Sequence, residues 1–91
     1  MLIVYDEPKR LTNLDKHGLD MDDFADGFDF RSAVQFGAHA SSTSRFRFGL
    51  IGWLGRRLVV VAIVSPLGSE ALCLVSLRPA KTKERARYGV Q

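Results

Sequence analysis

Cysteine is nearly absent from this sequence, and so are long uninterrupted apolar runs. The only cysteine is Cys73, which excludes an intrachain disulfide and agrees with a reducing compartment. The longest aliphatic run, residues 58–64, is far shorter than the roughly 18 residues of a membrane-spanning helix. Acidic residues follow a short apolar start, and the basic region that begins a signal peptide is missing. We therefore expect a soluble, cytoplasmic protein with no membrane partner.

Residues that bind metal ions are also few. The chain has two histidines, no cysteine–histidine cluster, and no closely spaced pair of carboxylates apart from aspartates suited to helix capping. Zinc sites use clusters of cysteine and histidine, and calcium or magnesium sites use groups of carboxylates. We therefore predict that the protein has no metal site and no cofactor.

The length of the chain limits its architecture. Its 91 residues are predicted to form one domain, residues 1–91, without linkers or internal repeats. A domain of this size buries only about 60–65% of the surface of its unfolded chain. The core is therefore expected to be modest.

Basic and acidic residues are unevenly distributed along the chain. Residues 1–31 carry eight acidic and four basic side chains, a net charge of −4, whereas residues 32–91 carry nine basic and two acidic side chains, a net charge of +7. Five of these nine lie within residues 78–88. A positive field of this size favours a polyanionic partner, usually a nucleic acid. The alternative is that the charges are spread over the surface and only keep the protein soluble.

Residues 45–88 have the pattern of a three-stranded antiparallel meander that leads into a helix. Residues 58–64 are continuously apolar, as expected for a central strand covered on both faces. Small and turn-forming residues separate the runs. The predicted strands are residues 45–52, 58–64 and 71–77, the turns are residues 55–57 and 65–68, and the basic helix is residues 78–88.

The first strand of this meander alternates arginine with large apolar residues. Because the side chains of a strand alternate between its two faces, Phe46 and Phe48 are predicted to join the core. Arg45 and Arg47 are predicted to carry positive charge on the opposite, solvent-facing side.

Two helices are predicted before the meander, after a short edge strand at residues 2–5. The first follows Asp6 as N-cap and ends near Gly18, with Leu11 and Leu14 as its apolar stripe. The second follows Asp20 as N-cap, and its apolar residues recur at helical spacing. These are Met21, Phe24, Ala25 and Phe28.

Residues 29–44 give the weakest pattern. Residues 33–36 fit a short strand, and residues 37–44, which include His39, are predicted to form a loop. Helices grouped beside an antiparallel sheet indicate an α+β two-layer domain.

Three separated motifs resemble those of the BrnT family of toxins from prokaryotic toxin–antitoxin pairs. They occur in the family's order and span almost the whole chain. One departure stands out, because the family tends to carry an acidic residue just before Arg47, where this chain has Phe46. The motifs are Asp6-x-x-Lys9-x-x-x-Asn13-x-x-Lys16-His17-Gly18, Arg47-Phe48-x-x-Ile51-Gly52 with Leu58-Val59-Val60-Val61, and Ser76-x-Arg78-x-Ala80-x-x-x-Glu84-Arg85-x-x-Tyr88.

The resemblance implies a RelE-like fold and a metal-independent ribonuclease that cleaves RNA and inhibits translation. It also implies a cognate antitoxin of the ribbon-helix-helix type that neutralises the toxin. Operator DNA would be bound only through the complex of the two proteins.

Candidate catalytic residues lie where the last strand meets the last helix. Arg78 is placed to direct a guanidinium at a phosphate; the alternative is a structural ion pair. Glu84 could act as a base or orient Arg78 or Arg85. Tyr88 could stack on a base or donate a proton, or it could pin the helix to the sheet.

Further candidates come from the basic residues and the loop histidine. Arg45 and Arg47 share a strand face suited to following an RNA backbone, and we include Arg47 among the catalytic candidates. Lys81 and Arg85 lie on the same stripe of the last helix as Glu84 and Tyr88 and are predicted to bind RNA. His39 has a near-neutral reference pKa that suits proton transfer.

Two other functions remain open at this stage. Phe46 in place of the acidic residue favours a catalytically inactive relative that binds its antitoxin and nucleic acid without cleaving it. Alternatively, the basic helix could dock on an acidic protein in a chain that serves only as an interaction domain.

Overall fold

The computed structural model describes residues 2–40, 46–56 and 58–90, with the backbone alone at residues 38–40. Residues 41–44 of the predicted loop, together with Arg45 and Arg57, lie outside the described residues. The elements, in chain order, are β1 (Leu2–Val4), α1 (Glu7–His17), a 3-10 turn (Met21–Asp23), α2 (Phe24–Gly27), β2 (Val34–Ala40), β3 (Phe46–Leu54), β4 (Leu58–Leu67), β5 (Ala71–Pro79) and α3 (Thr82–Tyr88).

The strands form one five-stranded sheet in the order β1-β5-β4-β3-β2. β2 to β5 pair antiparallel with their neighbours, which confirms the meander. β1 pairs parallel with β5, with Leu2 opposite Ala71, so the expectation of a wholly antiparallel sheet is wrong at this edge. Two strands joined by a tight turn must be antiparallel. β1 and β5 are far apart in the chain and are not joined in this way, so they can pair in parallel.

The central strand is β4, and apolar groups cover both of its faces. On one face, Val60, Ala62 and Val64 pack with Met21, Phe24 and Phe28. On the other, Val59 and Val61 pack with Ile51 of β3 and with Val90, which follows α3. The continuous apolar run therefore has the physical cause inferred from the sequence: neither face of β4 meets water.

The strands are longer than the sequence pattern suggested. β5 extends to Pro79, so the helix predicted to begin at residue 78 begins only at Thr82. β4 continues through Ser65 and Pro66, and the turn falls at residues 68–70. β2 continues through His39, so the prediction of a loop beginning at Gly37 is wrong for residues 37–40. Gly37 adopts a positive φ of 60° at a shift of register between Phe36 and Ala38. This bulge absorbs one residue and lets the ladder with β3 resume beyond it.

The first strand of the meander departs from simple alternation. Phe46 is 48% exposed and does not join the core, whereas Leu50 is buried. Arg47 is half-buried and does not project fully into solvent as predicted.

α1 has the predicted ends, but the apolar stripe predicted for it is wrong. It follows Asp6, contains Pro8 in its first turn, and ends at Gly18, which has a φ of 72°. Leu11 and Leu14 are 54% and 38% exposed, whereas Asn13 is buried at 7% exposure.

Asn13 joins α1 to the sheet through its side-chain amide. Its Nδ2 donates to the Leu77 carbonyl at 2.8 Å, and its Oδ1 accepts from the Leu77 N–H at 3.0 Å. Nδ2 also donates to the Leu19 carbonyl at 3.0 Å. β1 pairs with β5 only from Ala71 to Cys73, so Asn13 supplies the hydrogen bonds that a strand edge would otherwise lack.

Candidate active site

The predicted site residues gather on the side of the sheet that α3 covers, here called the α3 face. It carries Ile51, Val61 and Ile63 under α3. Arg78 lies opposite Val61, and Ser76 lies opposite Ile63, so both belong to this face. Arg47 lies four residues before Ile51 on β3, and residues an even number apart share one face of a strand, so Arg47 also belongs to the α3 face.

Arg78 and Glu84 form a two-pronged ion pair between the end of β5 and α3. Nη1 donates to Oε1 and Nη2 donates to Oε2, both at 2.7 Å. Nη1 also donates to the Pro79 carbonyl at 3.2 Å. The two side chains are 31% and 23% exposed. Paired carboxylate and guanidinium groups in this planar geometry hold each other in one orientation.

One edge of the Arg78 guanidinium makes no hydrogen bond with any described residue. Glu84 occupies the edge formed by Nη1 and Nη2. The edge formed by Nε and the second hydrogen of Nη2 makes no hydrogen bond with the described residues. That edge has the spacing for two parallel hydrogen bonds to a phosphate.

Glu84 is held firmly as a carboxylate. The hydrogen bonds from Arg78 lower the pKa of Glu84 from 4.5 to about 2, and the Lys81 backbone N–H, which donates to Oε1 at 2.9 Å, acts in the same direction. The carboxylate raises the pKa of Arg78 in turn. A group with such a low pKa is a weak base near neutral pH, so this geometry favours orientation of Arg78 over proton abstraction.

Tyr88 packs on the sheet through an aromatic stack. Its ring lies 4.7 Å from the ring of Phe36, with an angle of 27° between the planes. Phe36 in turn lies flat across Gly49 of β3, where an added Cβ would come within 2.4 Å of Phe36 Cζ. Gly49 therefore makes room for the aromatic pair that anchors the end of α3. The packing agrees with the alternative that Tyr88 pins the helix to the sheet, whereas the parts played by Phe36 and Gly49 were not predicted.

Lys81 and Arg85, the two cations near the C-terminus that were predicted to bind RNA, differ in position: Arg85 lies within α3, and Lys81 lies directly before it. The guanidinium carbon of Arg85 lies 5.5 Å from the centre of the Trp53 ring, a cation–π contact that holds it against β3. Lys81 precedes the first turn as the N-cap residue and is exposed. It therefore lies before the helical stripe and not on it.

Arg47 and His39 form a second group. They are directly opposite one another in the ladder between β3 and β2. Nε of Arg47 is shielded from solvent and has no hydrogen-bond partner among the described residues. Arg45, predicted to share the face of Arg47, lies outside the described residues.

The two groups are separated on the α3 face. Arg78 is level with Val61 of β4, while Phe48, the neighbour of Arg47, is level with Val64. The two arginines are thus offset by four residues, about 13 Å along the strand direction. The structure therefore brings Arg78, Glu84, Lys81, Arg85 and Tyr88 to one end of this face, and it does not bring Arg47 and His39 into the same cluster.

A groove of about 340 Å³ lies between α1 and β5. Lys9, Lys16 and His17 from α1 and Ser76 from β5 are among its lining residues. The sequence analysis included Lys9, Lys16 and His17 only in the first family motif and gave them no individual role. The spacing of seven residues between the two lysines on one helix was the available signal.

The described residues lack the features of a metal site and of a membrane-spanning helix. They contain no cluster of three or more histidine, cysteine or acidic side chains arranged to hold a metal ion. Within the same residues, no helix has the length and apolar character needed to cross a bilayer.

Comparison with known proteins identifies the family. A family model described as "Ribonuclease toxin, BrnT, of type II toxin-antitoxin system" matches residues 5–84. The fold matches the 1.1 Å crystal structure of the Brucella abortus ribonuclease toxin BrnT with a TM-score of 0.74 and 40% sequence identity, covering 90% of this chain and 99% of that one. A search of curated proteins gives no match. The chain, with its five-stranded, mostly antiparallel sheet and three helices, belongs to the BrnT family of ribonuclease toxins from type II toxin–antitoxin systems.

Proposed function

We propose that this protein is a RelE-like endoribonuclease that cleaves RNA on the α3 face without a metal ion and thereby inhibits translation in the cytoplasm. The observation that supports this proposal best is the ion pair that presents the unused edge of Arg78 next to the other cations of α3. A cognate ribbon-helix-helix antitoxin neutralises the enzyme, and operator DNA is bound only by the complex of the two.

Cleavage of RNA by attack of the 2′-hydroxyl makes three chemical demands. The 2′-hydroxyl proton must be removed, negative charge on the pentacoordinate phosphorus must be stabilised, and the leaving 5′-oxygen must be protonated. The products are a 2′,3′-cyclic phosphate and a free 5′-hydroxyl. No redox or cofactor chemistry is required for this reaction.

Arg78 meets the second demand in this proposal. Its open edge donates two hydrogen bonds to the non-bridging oxygens, whose charge grows in the transition state. Glu84 is a positioning residue, since it fixes the guanidinium before the substrate arrives. Preorganised donors of this kind need no rearrangement at the moment of reaction.

Proton transfer and RNA binding are assigned to the remaining candidates. Tyr88 is the proposed proton-transfer group beside Arg78, because a phenol can gain and lose a proton and Tyr88 lies on α3 with Glu84. His39 lies opposite Arg47 in the β2–β3 ladder, so we assign it a role with Arg47 and not at the phosphate bound by Arg78. Arg47 is assigned to bind a neighbouring phosphate, since it lies on the same face of the sheet. Lys81 and Arg85 bind the RNA backbone beside Arg78, where positive charge tracks phosphates without reading sequence.

A second function is favoured by two observations. The residue before Arg47 is Phe46, which is 48% exposed and has no acidic group, and the carboxylate of Glu84 is a weak base. Both features agree with a catalytically inactive relative that binds its antitoxin and nucleic acid without cleaving it.

Incubation of the purified protein with a mixed-sequence RNA in EDTA separates the two functions. We expect cleavage products that carry 2′,3′-cyclic phosphate ends, at the same rate with and without EDTA. RNA that remains intact but migrates as a complex would support the inactive relative. Loss of cleavage in EDTA, restored by a divalent ion, would contradict the metal-independent mechanism.

The pH dependence of Glu84→Gln tests the role of Glu84. The substituted side chain keeps one acceptor oxygen but places an amide NH2 against the guanidinium, so we expect cleavage about tenfold slower. Since the pKa of Glu84 is lowered to about 2, the ion pair is complete above pH 4.5 and is lost only as the pH falls towards 2. The ratio of wild-type to variant rates should therefore be constant from weakly acidic to weakly alkaline pH.

A ratio that changes with pH across that range would show that Glu84 itself titrates during catalysis. It would then act as a base and not as a positioning residue. Lys83→Ala provides the matched control, because Lys83 is an exposed residue of the same helix.

A further inference from the structure

The groove between α1 and β5 has the composition of an anion-binding site. Of its lining residues, three carry basic groups, Thr12 and Ser76 carry hydroxyls, and none is acidic. Lys9 and Lys16 lie seven residues apart on α1, which places them on one side of the helix about 10 Å apart.

The cations of the groove contrast with the other basic residue of α1. Arg10 donates to Glu7 at 2.6 Å and to Asp20 at 3.0 Å, so its charge is neutralised within the protein. Lys9 and Lys16 are exposed and form no ion pair with any described residue. Their charge is therefore available to a ligand with several negative groups.

The groove lies two residues along β5 from the proposed catalytic residue Arg78. Ser76 lines the groove, and Arg78 follows it by two residues on β5, so both side chains lie on the α3 face. Two residues of a strand span about 6.7 Å. A chain of phosphates that contacts Arg78 can thus extend across Ser76 into the groove.

We propose that this groove is a second RNA subsite, which binds backbone phosphates next to the phosphate that is cleaved. The inference rests on the proposed function and extends it. Lys9 and Lys16 each neutralise a phosphate, while Ser76 and Thr12 donate hydrogen bonds. Because the contacts go to the backbone, the subsite positions the strand and does not select its sequence.

The salt dependence of RNA binding tests this proposal. The probe is a 2′-O-methylated single-stranded oligonucleotide of about 12 nucleotides, which cannot be cleaved. Each phosphate contact adds about 0.7 to the slope of log K against log salt concentration for a single strand. We expect the double variant Lys9→Ala/Lys16→Ala to lose about 1.4 of that slope, twice the single-contact value, and to keep the wild-type circular dichroism spectrum.

Arg31→Ala/Arg56→Ala is the matched control. It removes the same number of charges from exposed positions, one after α2 and one in the β3–β4 turn, away from the groove. Its slope should stay close to that of the wild type. In cleavage assays the groove variant should raise KM and leave kcat unchanged, as expected for the loss of binding outside the reacting bond.

Three outcomes overturn the proposal or its basis, and they are distinguishable. If the slope of the groove variant is unchanged while the wild type still cleaves RNA, the proposed subsite is contradicted and the proposed function stands. Equal loss of slope in both double variants shows an effect of net charge alone. A wild type that neither cleaves nor binds RNA contradicts the proposed function itself.

Discussion

Replacing Arg78 with alanine is expected to slow RNA cleavage about 100- to 1,000-fold, the usual cost of removing one preorganised donor to a transition-state oxyanion. The guanidinium that Glu84 holds at 2.7 Å is lost, and no other described side chain occupies its position. Substrate binding should change much less, since Lys81 and Arg85 remain. Single-turnover cleavage of a labelled RNA measures the chemical step directly.

The control must separate lost chemistry from lost folding. Arg78→Ala leaves the carboxylate of Glu84 without its partner, which can destabilise the protein on its own account. The double variant Arg78→Ala/Glu84→Ala removes both charges and is expected to recover thermal stability but not cleavage. If the double variant recovers cleavage as well, Arg78 is a structural residue and the proposed mechanism is wrong.

Asn13→Ala is expected to have the largest effect on stability, about 2–4 kcal/mol. It deprives the N–H and carbonyl of Leu77, a fully buried residue, of their partners. Leaving a buried backbone group unsatisfied costs about 1–3 kcal/mol. Urea unfolding followed by tryptophan fluorescence should show a midpoint lower by about 2–3 M, given the small slope typical of a domain this size.

Two variants make this result specific to the amide. Leu11→Ala on the same helix should change the free energy of unfolding by less than about 0.5 kcal/mol, because Leu11 is mostly exposed. Asn13→Asp should be destabilised at neutral pH, since a carboxylate cannot donate to the Leu77 and Leu19 carbonyls. Wild-type stability in Asn13→Asp would show that these donated bonds contribute little.

The sequence predicted the elements whose cause is local. Gly18 ends α1 because a left-handed residue closes the last turn, and glycine adopts that conformation without strain. Asp20 accepts from the Asp22 N–H, as expected of an N-cap. Helical spacing correctly predicted the burial of Met21, Phe24 and Phe28, although they lie in a 3-10 turn, a short helix and the residue that follows it. The prediction was wrong for Ala25, the fourth member of the pattern, which is exposed.

The errors share a different cause. Leu11 and Leu14 had the spacing of a buried stripe, but α1 meets the sheet through Asn13 because the edge of β5 needs hydrogen bonds there. Residues 37–40 had the composition of a loop, but β3 offers them a partner along their whole length. In each case the deciding partner lies outside the segment itself: it is the Leu77 backbone for α1 and the neighbouring strand β3 for residues 38–40.

The candidate site divides in the same way. Residue types and spacing pointed to Arg78, Glu84 and Tyr88, but they left open whether Glu84 faces Arg78 or Arg85. Only the packing of α3 on the sheet sets that geometry, through the stack of Tyr88 on Phe36 over Gly49. It also separates Arg47 and His39 from Arg78, which no spacing in the sequence could show.

By itself, the sequence determined the α+β class, the meander, the family and the excess of positive charge in residues 32–91. The fold class, the meander and the excess of charge depend on hydrophobic periodicity, turn chemistry and composition, which are properties of short segments. The family was indicated separately, by the resemblance of three motifs, and the comparisons with known proteins show it. Only the tertiary structure decided that Asn13 bonds to the edge of β5 at Leu77 and that Glu84 is the acid paired with Arg78. It also decided that Lys9 and Lys16, from the acidic half of the chain, line a groove near Arg78. Those relations depend on strand order and register, because these bring together residues as far apart in the chain as Asn13 and Leu77.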